Sequence, residues 1–461
     1  MLNFSMGHCY RCLKNRVACD KMKENRVIRR KGVRFMRNFQ FGRTFAQEKD
    51  LMDPLASLRE HFYTKENQIY MDGNSLGLCS RDAENAVVRA LADWKTHGIG
   101  IWTGAETNYF LYHDVIGAKL ARLIKAKPEE VTVCGNTTLN VHQCIATFWK
   151  PTAQRYRILI DDLNFPTDRY AVTSQISTRG MDPEDVLKVV GSRDGKTLSE
   201  DDLIEAMTED VALVLLPSVL YRSSQLLDMK RLTEAAHSRG IIIGFDLCHS
   251  IGNIDHDFEA IDCDFALWCN YKYLSGGPGA VAGLYINSRH FGREPGLAGW
   301  WGNRKDTQFE LRTTFEHADN AGGWQTGTGS VLSLAAVDGA LDVYNGVDMK
   351  DVRAKSLDMT AYLMYLIETE LSDYGFTIGN PREDAGRGGH VALEHPEAAR
   401  INEALKAAGV VPDFRYPNVI RLAPVPLYVR YVDVYDLVQI LKEIMDTKAY
   451  MAYENKAGTV A

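Results

Sequence analysis

Between residues 85 and 330, short runs of apolar and β-branched residues alternate with stretches whose apolar positions recur every three to four residues. Runs of the first kind suit strands buried on both faces, and stretches of the second kind suit helices laid over them. Their alternation predicts a mainly parallel sheet covered by helices. The clearest strand candidates are 157–161, 211–216, 241–245, 264–268 and 280–286, and a helix over 229–239 closes at Gly240, a residue suited to a C-cap. Ligands of such sheets sit beyond the carboxyl ends of the strands.

After Thr328 the texture changes. Amphipathic helices are predicted over 332–344 and 352–371, strands over 391–394 and 419–422, and a last helix over 434–445. The expected organisation is a basic extension at 1–35, an N-terminal segment at 36–84 packing with the small domain, a large ligand-binding domain at 85–330, and a small α+β domain at 331–461. The loop 380–389, rich in glycine and charge, reads as an exposed turn rather than a site.

Composition alters this picture little. Of 461 residues, 45% are hydrophobic and 25% charged, and no apolar run approaches the ~18 residues a membrane span needs. The nine cysteines lack framework spacing, which suits reduced thiols and a cytoplasmic setting. Charge is more informative. Residues 1–35 hold ten Lys and Arg against Asp20 and Glu24; since the chain carries −7 in all, the rest carries −15. An acidic body disfavours nucleic acid as a partner. Cys9 and Cys12, with His8 and Cys19 nearby, resemble half a zinc site, but no second ligand pair follows at suitable spacing, so no metal is expected. An apolar signal-peptide core is absent, and Met36 is the expected true start, with 1–35 disordered or not native.

The stretch richest in chemistry runs from 244 to 279. One apolar strand ends in Asp246, followed by His249; about 25 residues later another delivers Tyr271 and Lys272 ahead of the turn Ser275-Gly276-Gly277-Pro278-Gly279. Alone, Asp246 suits a helix N-cap and Lys272 a solvated surface position. Together they suit a pyridine cofactor, whose ring nitrogen needs an anion and whose aldehyde needs a lysine. Upstream, Gly135-Asn136-Thr137-Thr138 precedes a helical pattern at 141–147. It offers N–H groups and hydroxyls for a phosphate, or alternatively a capping box without ligand.

The segment from Trp268 to Leu274 resembles the cofactor-lysine motif of class V aminotransferase-like enzymes, in the form found in kynureninases. The resemblance extends from about residue 50 to 450. It includes 70–78 with Ser75, Asn164-Phe165-Pro166-Thr167-Asp168, Gly299-Trp300-Trp301-Gly302, Trp324-Gln325, and 417–426 with Arg421. It implies the aspartate-aminotransferase fold of pyridoxal 5'-phosphate (PLP) enzymes and a homodimer with shared active sites. It further implies that Lys272 carries the cofactor as an imine and moves the Cα proton, that Tyr271 helps as acid or base or binds phosphate, and that Thr137, Thr138 and Trp300 cradle the phosphate. Phe165 would stack on the ring, Asp168 would lie beside it, Asp246 would pair with its nitrogen, and His249 and Thr328 would support it. Arg421 would pair with the substrate carboxylate, a task suited to a planar fork of donors. Ser75, Trp102 and Asn303 would line the substrate pocket.

The implied reaction is hydrolytic Cβ–Cγ cleavage of kynurenine to anthranilate and alanine. The chain departs from the family pattern at Asn303, where His is usual, at Pro217, where many members have Ser, and at 325–330, which looks like the bacterial form. The loss of polar groups suggests kynurenine over its 3-hydroxy derivative. An aminotransferase, a desulfurase of the same fold, or a cofactor-binding protein without turnover are the alternative readings.

Overall fold

The structure, a computed structural model, describes residues 38–456. The basic extension at 1–35, with His8, Cys9, Cys12 and Cys19, lies outside the described residues, as does Met36. Contacts divide the chain at Gln40, and the unit that begins at Phe41 is the one described below.

Seven strands form its principal sheet: β1 Val131–Cys134, β2 Arg157–Asp161, β3 Leu187–Val190, β4 Val211–Pro217, β5 Ile242–Asp246, β6 Phe265–Trp268 and β7 Ala282–Ile286, in the order β1-β7-β6-β5-β4-β2-β3. All seven residues of β4 are buried, as expected of a central strand covered on both faces. Each of the five anticipated strands is present, and β1 and β3 are additional. The sheet is not wholly parallel, because β7 runs antiparallel to both β6 and β1. An antiparallel return needs no crossover helix, and the connection at 269–281 contains none.

Helices cover this sheet and the elements beside it: α1 Arg43–Leu51, α2 Arg81–His97, α3 Tyr112–Ile124, α4 Thr137–Phe148, α5 Pro166–Thr178, α6 Met229–His237, α7 Val331–Asp342, α8 Met349–Glu370, α9 Ala398–Ala407 and α10 Tyr431–Thr447. Local signals set their ends. Ser80 Oγ accepts the Ala83 N–H at 3.1 Å at the start of α2, whose first turn carries Asp82 and Glu84 and whose last carries Lys95 and His97, each sign opposing the helix dipole. The core between α4, α5 and the sheet includes Trp149, Ile160, Leu215, Phe265 and Trp324.

A second sheet pairs β8 Thr377–Ile378, β9 Val391–Glu394, β10 Asp413–Arg415 and β11 Val419–Leu422 in the order β10-β11-β9-β8, all antiparallel. The N-terminal segment joins this region: Ile69 and Tyr70 pair with Val410 and Val411, and Asp50 accepts the N–H groups of Tyr431 and Val432 at 2.6 and 3.1 Å. The loop 380–389 is exposed at 382–385, as expected, but its end is buried. Arg387 is fully buried there, donating to Thr360 Oγ1 at 3.1 Å and to Asp384 Oδ1 at 2.7 Å. Arg382, Glu383 and Asp384 face water, while the Arg387 guanidinium finds its partners inside the protein.

Candidate active site

Strands β5 and β6 end side by side. Asp246 is the last residue of β5, and past Trp268 the chain turns through 269–281 with Lys272 on that turn. Lys272 Nζ lies 2.9 Å from His249 Nε2. The segment around Ser75 closes over the same turn: the Gly77 N–H donates to Tyr271 O at 2.8 Å. A Cβ at Gly77 would collide with the Lys272 carbonyl oxygen, so only glycine permits this approach.

The first turn of α4 faces this point. Its cap is Asn136, whose Oδ1 accepts the Leu139 N–H at 2.9 Å, so Thr137 and Thr138 stand inside the helix rather than capping it. Helical N–H groups this early have no partner within the helix. The Thr138 hydroxyl meets Thr167 Oγ1 at 2.7 Å, and that of Thr137 meets Cys248 Sγ at 3.7 Å. Phe165, at the N-cap of α5, is 42% exposed and stands edge-on to Tyr221, with ring centroids 5.4 Å apart.

Ser75, Thr137, Thr138, Phe165, Asp246, His249, Tyr271, Lys272 and Arg421 line one cavity of about 320 Å³. Asp168 is buried behind it, with Oδ2 accepting from Asn164 Nδ2 at 2.9 Å and Oδ1 without a partner. Arg421 arrives from β11 fully buried.

Burial dominates the electrostatics. It pushes the Asp246 carboxyl up, against the pull of the Cys248 N–H at 2.7 Å and of Lys272. Burial and the nearby Asp246 push Asp168 well above the carboxylate range. Two enclosed carboxyl groups resist holding two charges. Burial, with the cations of Lys272 and Arg421, drives His249 well below its ordinary value, so the ring is neutral, and its Nδ1 has no partner. Burial also raises Tyr271, keeping its phenol protonated.

These features fit PLP. An added pyridinium would give the crowded carboxyl pair a counter-charge, and the α4 terminus offers a phosphate its N–H groups. Phe165 presents an open aromatic face. Among the described residues no cluster of His, Cys, Asp and Glu could hold a metal ion.

Four expected site residues are not brought to this cavity. Trp102 packs against Trp301, with centroids 5.7 Å apart. Trp300, 43% exposed, and Asn303 line a separate cleft of about 230 Å³, and Thr328 is exposed. Thus Trp300 does not complete the phosphate cradle within this chain. The excursion that carries it is held elsewhere, by Trp301 N–H to Thr326 O at 3.1 Å and Trp300 against Phe309.

Other cavity residues escaped the sequence reading: Asn74, Thr167, Tyr221, Cys248 and Arg415. Only Arg415 had a usable signal. It stands two residues from Asp413, a spacing that puts both on one face of a strand, but a three-residue strand with two charges lacks an apolar pattern.

A family model described as the kynureninase C-terminal domain matches residues 352–441. The kynureninase of Bacillus anthracis is 55% identical over 423 residues, covering 92% of this chain and 99% of its own. That of Geobacillus thermodenitrificans is 53% identical over 417 residues, with coverages of 90% and 97%. Among solved structures, a cystine C-S lyase complexed with cysteine persulfide superposes with a TM-score of 0.71 at 16% identity, covering 82% of this chain and 98% of its own. An apo cysteine desulfurase from Thermococcus onnurineus gives 0.72 at 14% identity, with coverages of 85% and 98%. At such identity these two establish the fold alone.

Proposed function

The chain belongs to the kynureninase family, and from that premise we propose how the residues of the cavity share the work. The protein is a PLP-dependent hydrolase of a carbon–carbon bond, cleaving L-kynurenine between Cβ and Cγ to anthranilate and L-alanine. One observation carries the assignment of roles: Lys272, Asp246, the first turn of α4 and Arg421 come from separate stretches of chain and face one cavity.

PLP, when bound, withdraws electrons from the bonds made and broken at the amino acid's Cα and Cβ. Lys272 anchors it and carries the Cα proton on Nζ, and the neutral His249 at 2.9 Å orients that amine without competing for charge. Asp246, with Asp168 behind it, holds the cationic ring nitrogen. Thr137, Thr138 and the N–H groups of α4 bind the phosphate, and Phe165 shields one ring face from water. The protonated phenol of Tyr271 donates at the side-chain stage of the reaction. Arg421 and Ser75 mark the end of the cavity that takes the substrate's carboxylate, with Ser75 Oγ accepting from Arg421 Nη2 at 2.9 Å.

Three finer readings belong to the same proposal. The enzyme is a homodimer in which Trp102, Trp300, Asn303 and Thr328 serve the partner's cavity. Their displacement supports this, as do the exposed apolar side chains of Ile99, Leu111, Phe309 and Leu311 near them. Its preferred substrate is L-kynurenine rather than the 3-hydroxy compound, because Asn303 commits its amide to its own loop, accepting from the Glu316 N–H and donating to Arg304 O. It works in tryptophan catabolism in the cytoplasm, which buried free thiols such as Cys134, Cys144 and Cys263 support.

The test is direct. Purified protein should be yellow, lose its visible absorbance on borohydride treatment, and release fluorescent anthranilate from L-kynurenine. A yellow protein that releases no anthranilate would leave the fold and remove the function.

A further inference from the structure

The carboxylate end of the cavity is built differently from a single arginine fork. Arg421 is fully buried, and its donors are largely spent: Nε and Nη2 both meet Asp413 Oδ2, Nη2 also donates to Ser75 Oγ, and Nη1 donates to Tyr221 O at 2.8 Å. A guanidinium has five N–H donors, so little remains for an incoming carboxylate. Asp413 itself lies opposite Arg421 in the β10–β11 register. Two residues on, and so on the same face of β10, Arg415 donates through Nε to the same Asp413 Oδ2 at 2.9 Å and through Nη2 to Ser75 Oγ at 3.4 Å. Its side chain is 18% exposed against 0% for Arg421. It lines the cavity, and among the described residues its Nη1 makes no hydrogen bond.

We propose that Arg415 is a second substrate-binding arginine, forming with Arg421 a two-arginine clamp for the α-carboxylate in which Asp413 braces both guanidinium groups and Arg415 supplies the accessible donors. This rests on the kynureninase reading for its substrate. The charge balance agrees. Two arginines share one brace, both donating to Asp413 Oδ2. An anion is the ligand such a cluster lacks. Arg415 is suited to set amino-acid specificity, since it meets the carboxylate at the cavity while Arg421 stays fixed beneath it.

The test uses the holoenzyme and Arg415→Met, with Arg415→Lys as the milder variant. Three quantities are read: KM and kcat for L-kynurenine, the half-saturating concentration of L-alanine from the change in cofactor absorbance, and inhibition by 2-aminoacetophenone, which has the aryl ketone but no carboxylate. Loss of a charged hydrogen bond to carboxylate should raise KM and the L-alanine half-saturation together by about 10- to 100-fold in Arg415→Met. kcat should fall less than about threefold and aminoacetophenone inhibition should hold within about twofold. Arg415→Lys should recover only part of the loss, because an ammonium lacks the planar fork. If KM and L-alanine affinity stay within about twofold of wild type, the clamp is wrong. Should Arg415→Met not hold its cofactor, the lysine variant decides by the same criterion. A wild-type enzyme that binds L-alanine but releases no anthranilate would sink the kynureninase reading and leave the L-alanine titration to judge the clamp.

Discussion

The Lys272 cavity and the Trp300 cleft contain residues expected in one site, yet this chain keeps them apart. The cavity gathers its groups from strand ends and the first turn of α4, positions that follow once the sheet forms, and its lysine, carboxyl and arginine side chains are largely enclosed. The cleft is carried by residues 298–315, with Trp300 43% and Phe309 70% exposed. One region holds charges away from water; the other offers aromatic surface to something outside it. The contrast gives the first the groups that chemistry needs and leaves the second with exposed aromatic surface, which the proposed dimer would use to enclose the substrate.

The largest effect expected is that of Lys272→Ala. Loss of the anchor and proton carrier should lower anthranilate release by at least about 10⁴-fold. Trp300→Ala should also be severe, by about 10²-fold, for loss of a wall of the partner's cavity. Refolding the two variants together sharpens the comparison. If the regions act across the interface, mixed dimers contain one site with both intact components, and activity should return to about a quarter of wild type. No recovery, with dimers present by light scattering, would place both regions' work in the same chain.

Next in size is Asp246→Asn. Within the cavity, a neutral amide cannot hold the cationic ring nitrogen, and kcat should fall by about 10²- to 10³-fold. Cofactor should remain bound through Lys272 and α4. A variant with near wild-type kcat would move that role elsewhere, Asp168 being the nearest carboxyl candidate.

A stability effect follows from Asp72, whose carboxyl group is buried, has Oδ1 unpartnered, and is raised to about 7 by burial and by Asp413, against the pull of Ser75, Arg421 and Arg415. Unfolded, it titrates near about 3.9. Between these values the folded protein holds a proton that the unfolded chain has released, so folding stability falls as pH rises from about 4 to 7 and stays lowered above. Asp72→Asn escapes this loss. It should gain up to about 4 kcal/mol at pH 8 and almost nothing at pH 4, read from urea unfolding. Equal gains at both pH values would mean that the carboxyl group is ionised throughout.

The same contrast explains what could be read in the chain. Runs such as 157–161 and 211–216 announced their strands because burial on both faces demands apolar, β-branched residues. The order of Asp246 and Lys272 along the chain then placed both at strand ends. The direction of β7 was not legible, since a buried strand has the same composition whichever way it runs. Residues 413–415 hid because two charges in three residues look like a loop; their burial depends on Arg421 from another strand. Arg387 hid for the same reason, its partners Thr360 and Asp384 being supplied by the fold. Trp102, Trp300 and Asn303 were placed by contacts with Trp301, Phe309 and the Glu316 N–H, which no periodicity encodes.

The smallest effect tests the cleft by itself. Asn303 holds its loop through the Glu316 N–H at 3.1 Å and the Arg304 carbonyl at 3.1 Å, which turns its amide oxygen and nitrogen to the backbone and away from a ring hydroxyl. Asn303→His, the residue usual in the family, adds an imidazole with one donor and one acceptor. If the cleft selects the aryl group in the partner's cavity, the ratio of kcat/KM for 3-hydroxykynurenine to that for kynurenine should rise by about 10-fold, the worth of one added polar contact. The L-alanine titration should stay put, because the carboxylate end belongs to the other region. A ratio that does not move, or an L-alanine affinity that moves with it, would dissolve the division of labour between cavity and cleft.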